Sequence, residues 1–317
     1  YGGAYDIYNG AAGTIYLQKG SDTPGRGHLI VNNNDRTAYL FQATDLNGTS
    51  SVSHAFSTLT LTNAGVLGIG PDDTLDVSGT AVRPDPTDMN DGIRLRGGRL
   101  LTDPAFGIGD SYLAIDSAGS RFSPGASFTV GSGAEFVVNQ PHQMTTDVVV
   151  ASGGLMRHDQ NLSTEAFKID LSVQGNLTVQ SGGAVNVDGL GYYLRTGPGA
   201  PTSHRVGGSH GGGGGRSSNG DSGIPGPTYG AILAPTNIGS AGGLYSGNVD
   251  GGGAIRLGVS GTLTVDGRIT ANGTNTFDAA SGGGAGGSVF LTAGGRAGNG
   301  TIAANGGLGS ANSGPIG

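Results

Sequence analysis

Apolar and polar residues alternate in short runs along this chain, and the clearest runs lie at 251–273, GGGAIRLGVSGTLTVDGRITANG. Ile255, Leu257 and Val259 fall at i, i+2 and i+4, and Leu263 with Val265, then Ile269 with Ala271, continue the pattern. Strand side chains change face at every residue, so each run sends its aliphatic residues to one side and Ser, Thr or Arg to the other. Three half-buried strands are predicted, set off by Ser-Gly, Asp-Gly and Asn-Gly turns at Gly261, Gly267 and Gly273.

Asp-Gly between alternating runs ordinarily signals a hairpin, but repetition changes the reading. The stretch 171–189 aligns with 257–273, matching Leu171 to Leu257, Val173 to Val259, Leu177 to Leu263, Val179 to Val265 and Val185 to Ile269. A looser third copy spans 289–307. A unit that recurs with short turns predicts stacked coils, each burying its apolar row against the next. The expected fold is therefore all-β: a parallel β-solenoid, a right-handed β-helix, forming one elongated domain over 1–317 with a glycine-rich loop insertion at 190–254.

The rest of the chain carries weaker versions of the pattern. GTIYLQKG (13–20), HLIVNNN (28–34), TAYLFQAT (37–44) and STLTLTNAGVLGIG (57–70) read as strands, with Leu59 and Leu61 opposed to Thr58, Thr60 and Thr62. Further strands are spaced through 111–160, and NLSTEAFK (161–168) is the one candidate helical turn, capped by Asn161 or Ser163. The segment 188–254 is dense in Gly, Pro and Ser, the composition of a linker or long loop. Because it lies between two matching copies, it is expected to leave the stack and rejoin it, anchored by Tyr192, Tyr193, Tyr229 and Tyr245.

Composition narrows the function classes. Gly makes up 66 of 317 residues, charged residues 12% and aromatics 6%, which suits a narrow core of Val, Ile, Leu and Ala better than an ordinary enzyme core. The glycines follow no G-X-Y period, which excludes collagen. A net charge of −7 without a basic stripe argues against nucleic acid as a partner. The lack of Cys removes disulfides, thiolate metal sites and cysteine nucleophiles together. No apolar run reaches the length of a membrane span. Since the chain opens and closes within repeat-like sequence, it is expected to be a piece of something longer.

Candidate chemistry is sparse. Asp85, Asp88, Asn90 and Asp91, followed by Gly92, form an acidic loop whose oxygens would suit calcium, and Asp72, Asp73 and Asp76 form a second acidic group. The spacing is not that of an EF-hand, and turn formation by Asp and Asn explains it equally. No other cofactor is required. In the glycine-rich segment His204, Arg205, His210 and Tyr229 form a candidate binding set for a metal or a sugar, without an identifiable third ligand. Asp103, Asp110, Asp116 and Glu135 are the carboxylates a glycan-cleaving enzyme would draw on, but no pair sits at a recognisable strand spacing. No Ser-His-Asp order, nucleophile elbow or phosphate loop emerges, so no catalytic residue is assigned.

The order of the segments 208–215, 227–243, 251–273 and 282–293 resembles the glycine-rich parallel β-helix modules of very large bacterial surface proteins, and 10–20 with 27–34 resembles another recurring piece of them. The resemblance implies an extracellular right-handed β-helix serving as stalk, adhesin or matrix component, and it brings no catalytic motif. The function expected is that of a non-catalytic structural module of a secreted or cell-surface protein. The alternatives are a carbohydrate-active β-helix enzyme and a glycan- or ice-binding face built on the Thr row. Expected partners are further copies, joined end to end through open strand edges, and cell-surface polysaccharide.

Overall fold

The computed structural model describes residues 12–35, 43–46, 53–79, 90–103, 106–108, 110–216, 223–245, 249–276 and 281–309, and the backbone alone for 81–84. Among the described residues there is no helix; the fold is all-β, and nearly all its strands pair in parallel. Nine strands form one long sheet and follow one another across it in chain order: Thr44–Asp45, Val66–Ile69, Gly92–Leu95, Tyr112–Ile115, Glu135–Val138, Leu155–Arg157, Ala184–Asn186, Arg268–Thr270 and Thr301–Ala303. Parallel neighbours cannot be joined by a tight hairpin. From Val66–Ile69 onward the chain accordingly passes through one or two strands of other sheets before each return.

Register carries one apolar position through the sheet from its second strand onward, Leu67 itself lying opposite Thr44 on the first. Leu67 pairs with Ile93, Ile93 with Leu113, Leu113 with Phe136, Phe136 with Met156, Met156 with Val185, and Val185 with Ile269. All of these are buried in a single core that extends from Leu29 to Ala271. Each such side chain contributes about 1.5–3 kcal/mol on leaving water. The core is less purely aliphatic than the composition suggests: Phe128 packs edge-to-face on Phe122 and Phe136, with ring centroids 5.0 and 5.2 Å apart.

The aligned copies pair as their sequences match. Leu171 lies opposite Leu257, Val173 opposite Val259, Leu177 opposite Leu263 and Val179 opposite Val265, and the third copy follows with Leu257 opposite Leu291 and Ile269 opposite Ile302. Two turn expectations need correction. The chain does not turn at Ser260-Gly261: the strand Ala254–Val265 runs through it, and its pairing with Ser288–Ala297 shifts register between Val259 and Thr262. Asp266-Gly267 is a corner, because the strands it joins belong to different sheets. The candidate helical turn at 161–168 is a loop. Asn161, fully buried, accepts the N–H groups of Ala166 and Phe167 at 2.7 and 2.8 Å, so its capping capacity fixes that loop instead.

Corner side chains tie each turn to the next. Asp147 accepts the Asn176 N–H at 2.7 Å, and Asn176 in turn accepts the Thr262 N–H at 2.9 Å. At another corner Asp188 accepts from Asn272 N–H (2.6 Å), and the Asn272 side chain accepts from Asn305 N–H (2.7 Å). The exception to parallel pairing among the named strands is Gly13–Leu17, which runs antiparallel to His28–Asn32. Of the predicted strand 37–44, residues 37–42 lie outside the described residues.

After Asn186 the chain leaves the sheets and returns to them at Ala254. Among its described residues the intervening glycine-rich segment contains no named strand, yet its backbone is closely bonded. The N–H groups of Gly251 and Gly253 donate to Tyr192 (3.0 Å) and Val187 (2.8 Å) in one stretch, and that of Gly252 between them to Ala285 (2.8 Å) in another. Contacts with any one neighbour recur every third residue. Gly282 donates to Gly243 and Ala285 to Ser240; Gly284 donates to Thr274 and Gly287 to Ala271; Gly239 donates to Gly252 and Gly242 to Val249. A period of three with bonds running between extended segments matches the polyproline-II type, which has no internal hydrogen bonds of its own. Close approach of these chains requires glycine. A Cβ at Gly287 would run into the Gly253 carbonyl oxygen, and one at Gly251 into that of Gly239.

Gly287→Ala is therefore expected to cost about 3 kcal/mol, at the upper end of overpacking effects. Gly211→Ala, whose Cβ would meet nothing within 4 Å, should stay within about 0.5 kcal/mol of the parent. Urea unfolding of the two variants tests this, and equal stabilities would contradict the packing described.

Candidate functional site

The acidic loop offers one described carboxylate and puts it to internal use. Asp85 and Asp88 lie outside the described residues; Asn90 is exposed, while Asp91 is fully buried and accepts the Gly65 N–H at 2.8 Å. In the earlier acidic group Asp76 accepts the Ser78 N–H at 3.0 Å in a turn, and Asp72 has a positive φ of 68°. Among the described residues no group of three or more His, Cys, Asp or Glu is disposed to hold a metal.

The two histidines of the candidate binding set sit on separate tyrosines. The His204 ring lies 5.8 Å from that of Tyr245, and the His210 ring 4.8 Å from that of Tyr229. Arg205 has a positive φ of 63°, and its buried Nε has no hydrogen-bond partner among the described residues. His210 is held by its Nδ1–H, which donates to the Gly286 carbonyl at 2.9 Å. Burial lowers its pKa, against the opposing pull of the Gly286 and Gly287 carbonyls. Tyr229 donates to the Ile238 carbonyl at 2.6 Å and lies 2.9 Å from the Ser240 hydroxyl, and burial raises its pKa. Both rings line a cavity of about 840 Å³ whose other walls are mainly glycine backbone, with no carboxylate or permanent cation among its described lining residues. Such a surface offers mainly neutral backbone hydrogen-bonding groups.

A denser polar cluster forms where the sequence offered only scattered residues. Arg94 on Gly92–Leu95 reaches Asp116 and Asp159, each at 2.6 Å. Arg157 reaches Glu135 at 2.7 Å and Asp159 at 2.8 Å. Between them Asn139 donates to Asp116 (2.7 Å) and Asp159 (2.9 Å), and its side-chain oxygen accepts the Asp159 N–H at 2.8 Å. Burial alone would raise the Asp159 pKa, but the two guanidinium groups outweigh it and hold the carboxyl below its usual range. Burial likewise works against the charge on Arg94, and is outweighed by the bond to Asp116 and the charge of Asp159.

Asp116 and Glu135 were among the candidate carboxylates, and here they are salt-bridge partners. Asp103 and Asp110 do not enter the cluster; Asp103 accepts the Gly79 N–H at 2.8 Å. Sequence reasoning missed Arg94, Asn139, Arg157 and Asp159. The available signal was a polar residue recurring just past an apolar strand, Asp116 after YLAI and Asn139 after EFVV, with Asp159 following LMRH. The threonine row is equally ordinary in context. Thr60 pairs with Ile30 and bonds to His28, so Thr58, Thr60 and Thr62 do not extend into a threonine array on that side. Comparison with protein-family models, curated proteins and solved structures gave no match.

Two buried groups beside this cluster and the glycine-rich chains link stability to pH. His158 is fully buried, its Nδ1–H donating to the Asp159 carbonyl (2.7 Å) and its Nε2 accepting the Ala254 N–H (3.3 Å). Burial lowers its pKa from 6.5 to about 4. The unfolded chain thus takes up this proton first as pH falls, and stability drops between pH 6.5 and about 4. Asp250 has the opposite sign. Burial raises its pKa from 3.8 to about 6, against a stabilising bond from Leu194 N–H. Its contribution is complete below pH 3.8 and is lost as pH rises through about 6.

Asp250→Asn should therefore raise the melting temperature relative to the parent at pH 7, with the difference vanishing near pH 4; a constant difference across that range would contradict the assignment. Arg94→Met leaves Asp116 with only Asn139 and Asp159 with Arg157 and Asn139, and should cost about 3 kcal/mol, measured by denaturant unfolding at pH 7.

Proposed function

We propose that this chain is a non-catalytic structural module of a secreted or cell-surface protein, built as a right-handed parallel β-solenoid and acting as a stalk, adhesin, matrix or fibre element. The observation that carries this reading is the stacking of three sequence copies, in which Leu171, Leu257 and Leu291 lie in line, as do Val185, Ile269 and Ile302. Such a scaffold lengthens by adding copies, each burying the apolar row of the last, without needing a new fold. The right-handed sense follows from the strong handedness preference of parallel crossovers. Placement outside the cell rests on the resemblance of 188–307 to glycine-rich modules of bacterial surface proteins.

The carboxylates support the same reading. Acid/base cleavage of a glycan needs two carboxyl groups free to exchange protons, whereas Asp116, Asp159 and Glu135 are each bound to an arginine. End-to-end association is part of the proposal. Val289 and Leu291 pack on the core while remaining partly exposed, and Ile302 beyond them is 53% exposed. These residues offer an apolar row on which another coil can stack.

Negative-stain electron microscopy and sedimentation across a concentration series test the proposal. Rods that lengthen with concentration are expected for the parent chain, and Leu291→Asp should remain monomeric. A parent chain that stays monomeric at high concentration and cleaves an acidic polysaccharide would overturn it in favour of the enzyme reading.

A further inference from the structure

A second surface has a chemistry that the scaffold role does not use. Arg99 and Arg121 lie directly opposite each other on neighbouring parallel strands. The next residues, Leu100 and Phe122, are buried at 2% and 1% exposure, so alternation turns both arginines outward on the same face. Neighbouring strands are about 4.8 Å apart. Neither guanidinium has a carboxylate partner among the described residues. Like charges set side by side in a sheet are unfavourable, and here they stand on a chain of net charge −7.

The two arginines line one groove of about 760 Å³ together with Gln143, Asp170, Ser172 and Arg256. Among the described residues Asp170 is the one carboxylate lining it, and it is already bound to Arg256 at 2.5 Å. The groove therefore carries a net positive charge, concentrated at the Arg99–Arg121 end. Arg256 lies two strands on from the 142–144 strand through the pairings of His142 with Leu171 and Leu171 with Leu257, roughly 10 Å away. Cationic points are thus spread along the groove, with polar Gln143 and Ser172 between them.

We infer that this groove binds a linear acidic polysaccharide through its uronate carboxylates, with Arg99 and Arg121 as the primary contacts. A guanidinium presents a planar pair of donors that matches a carboxylate in bidentate fashion. Hydroxyl-rich sugar units suit the amide and hydroxyl groups that line the rest of the groove. A nucleic acid fits less well. Of the groove's two aromatic rings, Phe122 is buried and His142 is held with its Nε2 on the Phe122 carbonyl at 2.9 Å, so neither stands free to stack a base. The inference goes beyond the scaffold proposal and stands whether or not coils associate end to end.

Affinity electrophoresis and calorimetry of the full chain with polygalacturonate oligomers test it. The parent should be retarded at low salt, with weakening as salt rises. Arg99→Gln and Arg121→Gln should each weaken binding at least threefold, and the double variant at least tenfold. Both residues are exposed, so circular dichroism and the melting temperature should not change. Arg26→Gln, an exposed charge elsewhere, should bind as the parent does. No retardation of the parent, full affinity in the double variant, an equal loss in Arg26→Gln, or tighter binding of single-stranded DNA than of polygalacturonate would each overturn the inference.

Discussion

Every extended segment in this molecule must find partners for its backbone N–H and C=O groups on another segment, because neither of its two conformations bonds internally. In the sheets the answer is parallel pairing at strand spacing. Parallel pairing requires the chain to cross over before it returns, and each return has to bring an apolar residue to the same place, as Leu67, Ile93, Leu113 and Phe136 do. In the glycine-rich segment the same need is met with a period of three. Successive donors at Gly251, Gly252 and Gly253 alternate between two neighbouring stretches, and the side chains that would obstruct this are absent. Glycine loses more entropy on ordering than any other residue; that loss is offset by a dense set of bonds between segments, each worth about 1 kcal/mol net.

The two regions meet at His158. Its ring accepts the Ala254 N–H where the chain re-enters the sheets, and its other nitrogen donates to the carbonyl of Asp159, a member of the arginine–carboxylate cluster. A Cβ at Gly253 would collide with the same ring. Cluster, histidine and glycine chains therefore form a continuous polar joint. Buried ion pairs gain little over an apolar replacement but are costly to break, so this joint fixes how the glycine chains dock more than it adds to stability.

The surfaces divide by charge. Among the described residues the glycine-walled cavity beside His210 and Tyr229 has no permanently charged lining, while the groove at Arg99 and Arg121 is cationic on an otherwise acidic chain. A scaffold with one unpaired cationic groove can hold a polymer without transforming it, which joins the structural proposal to the polysaccharide inference without requiring catalytic groups.

Alternation and repetition determined the all-β class, the parallel stacking and the pairing of Leu171 with Leu257 and Val179 with Val265, because strand periodicity and register are properties of local order. The sequence also located the glycine-rich departure between two copies. It could not distinguish a loose loop from a bonded bundle, since glycine is common to both and only the neighbouring chains at Val187, Ser240 and Thr274 supply the acceptors. Nor could it show that Ser260-Gly261 lies inside a strand, where pairing with the strands on either side overrides the turn preference of the dipeptide. Arg94 and Asp159 are 65 positions apart, and Arg99 meets Arg121 only through register. The number of residues in each crossover decides such meetings, and it varies along the chain, so tertiary structure alone assembled the cluster and the groove.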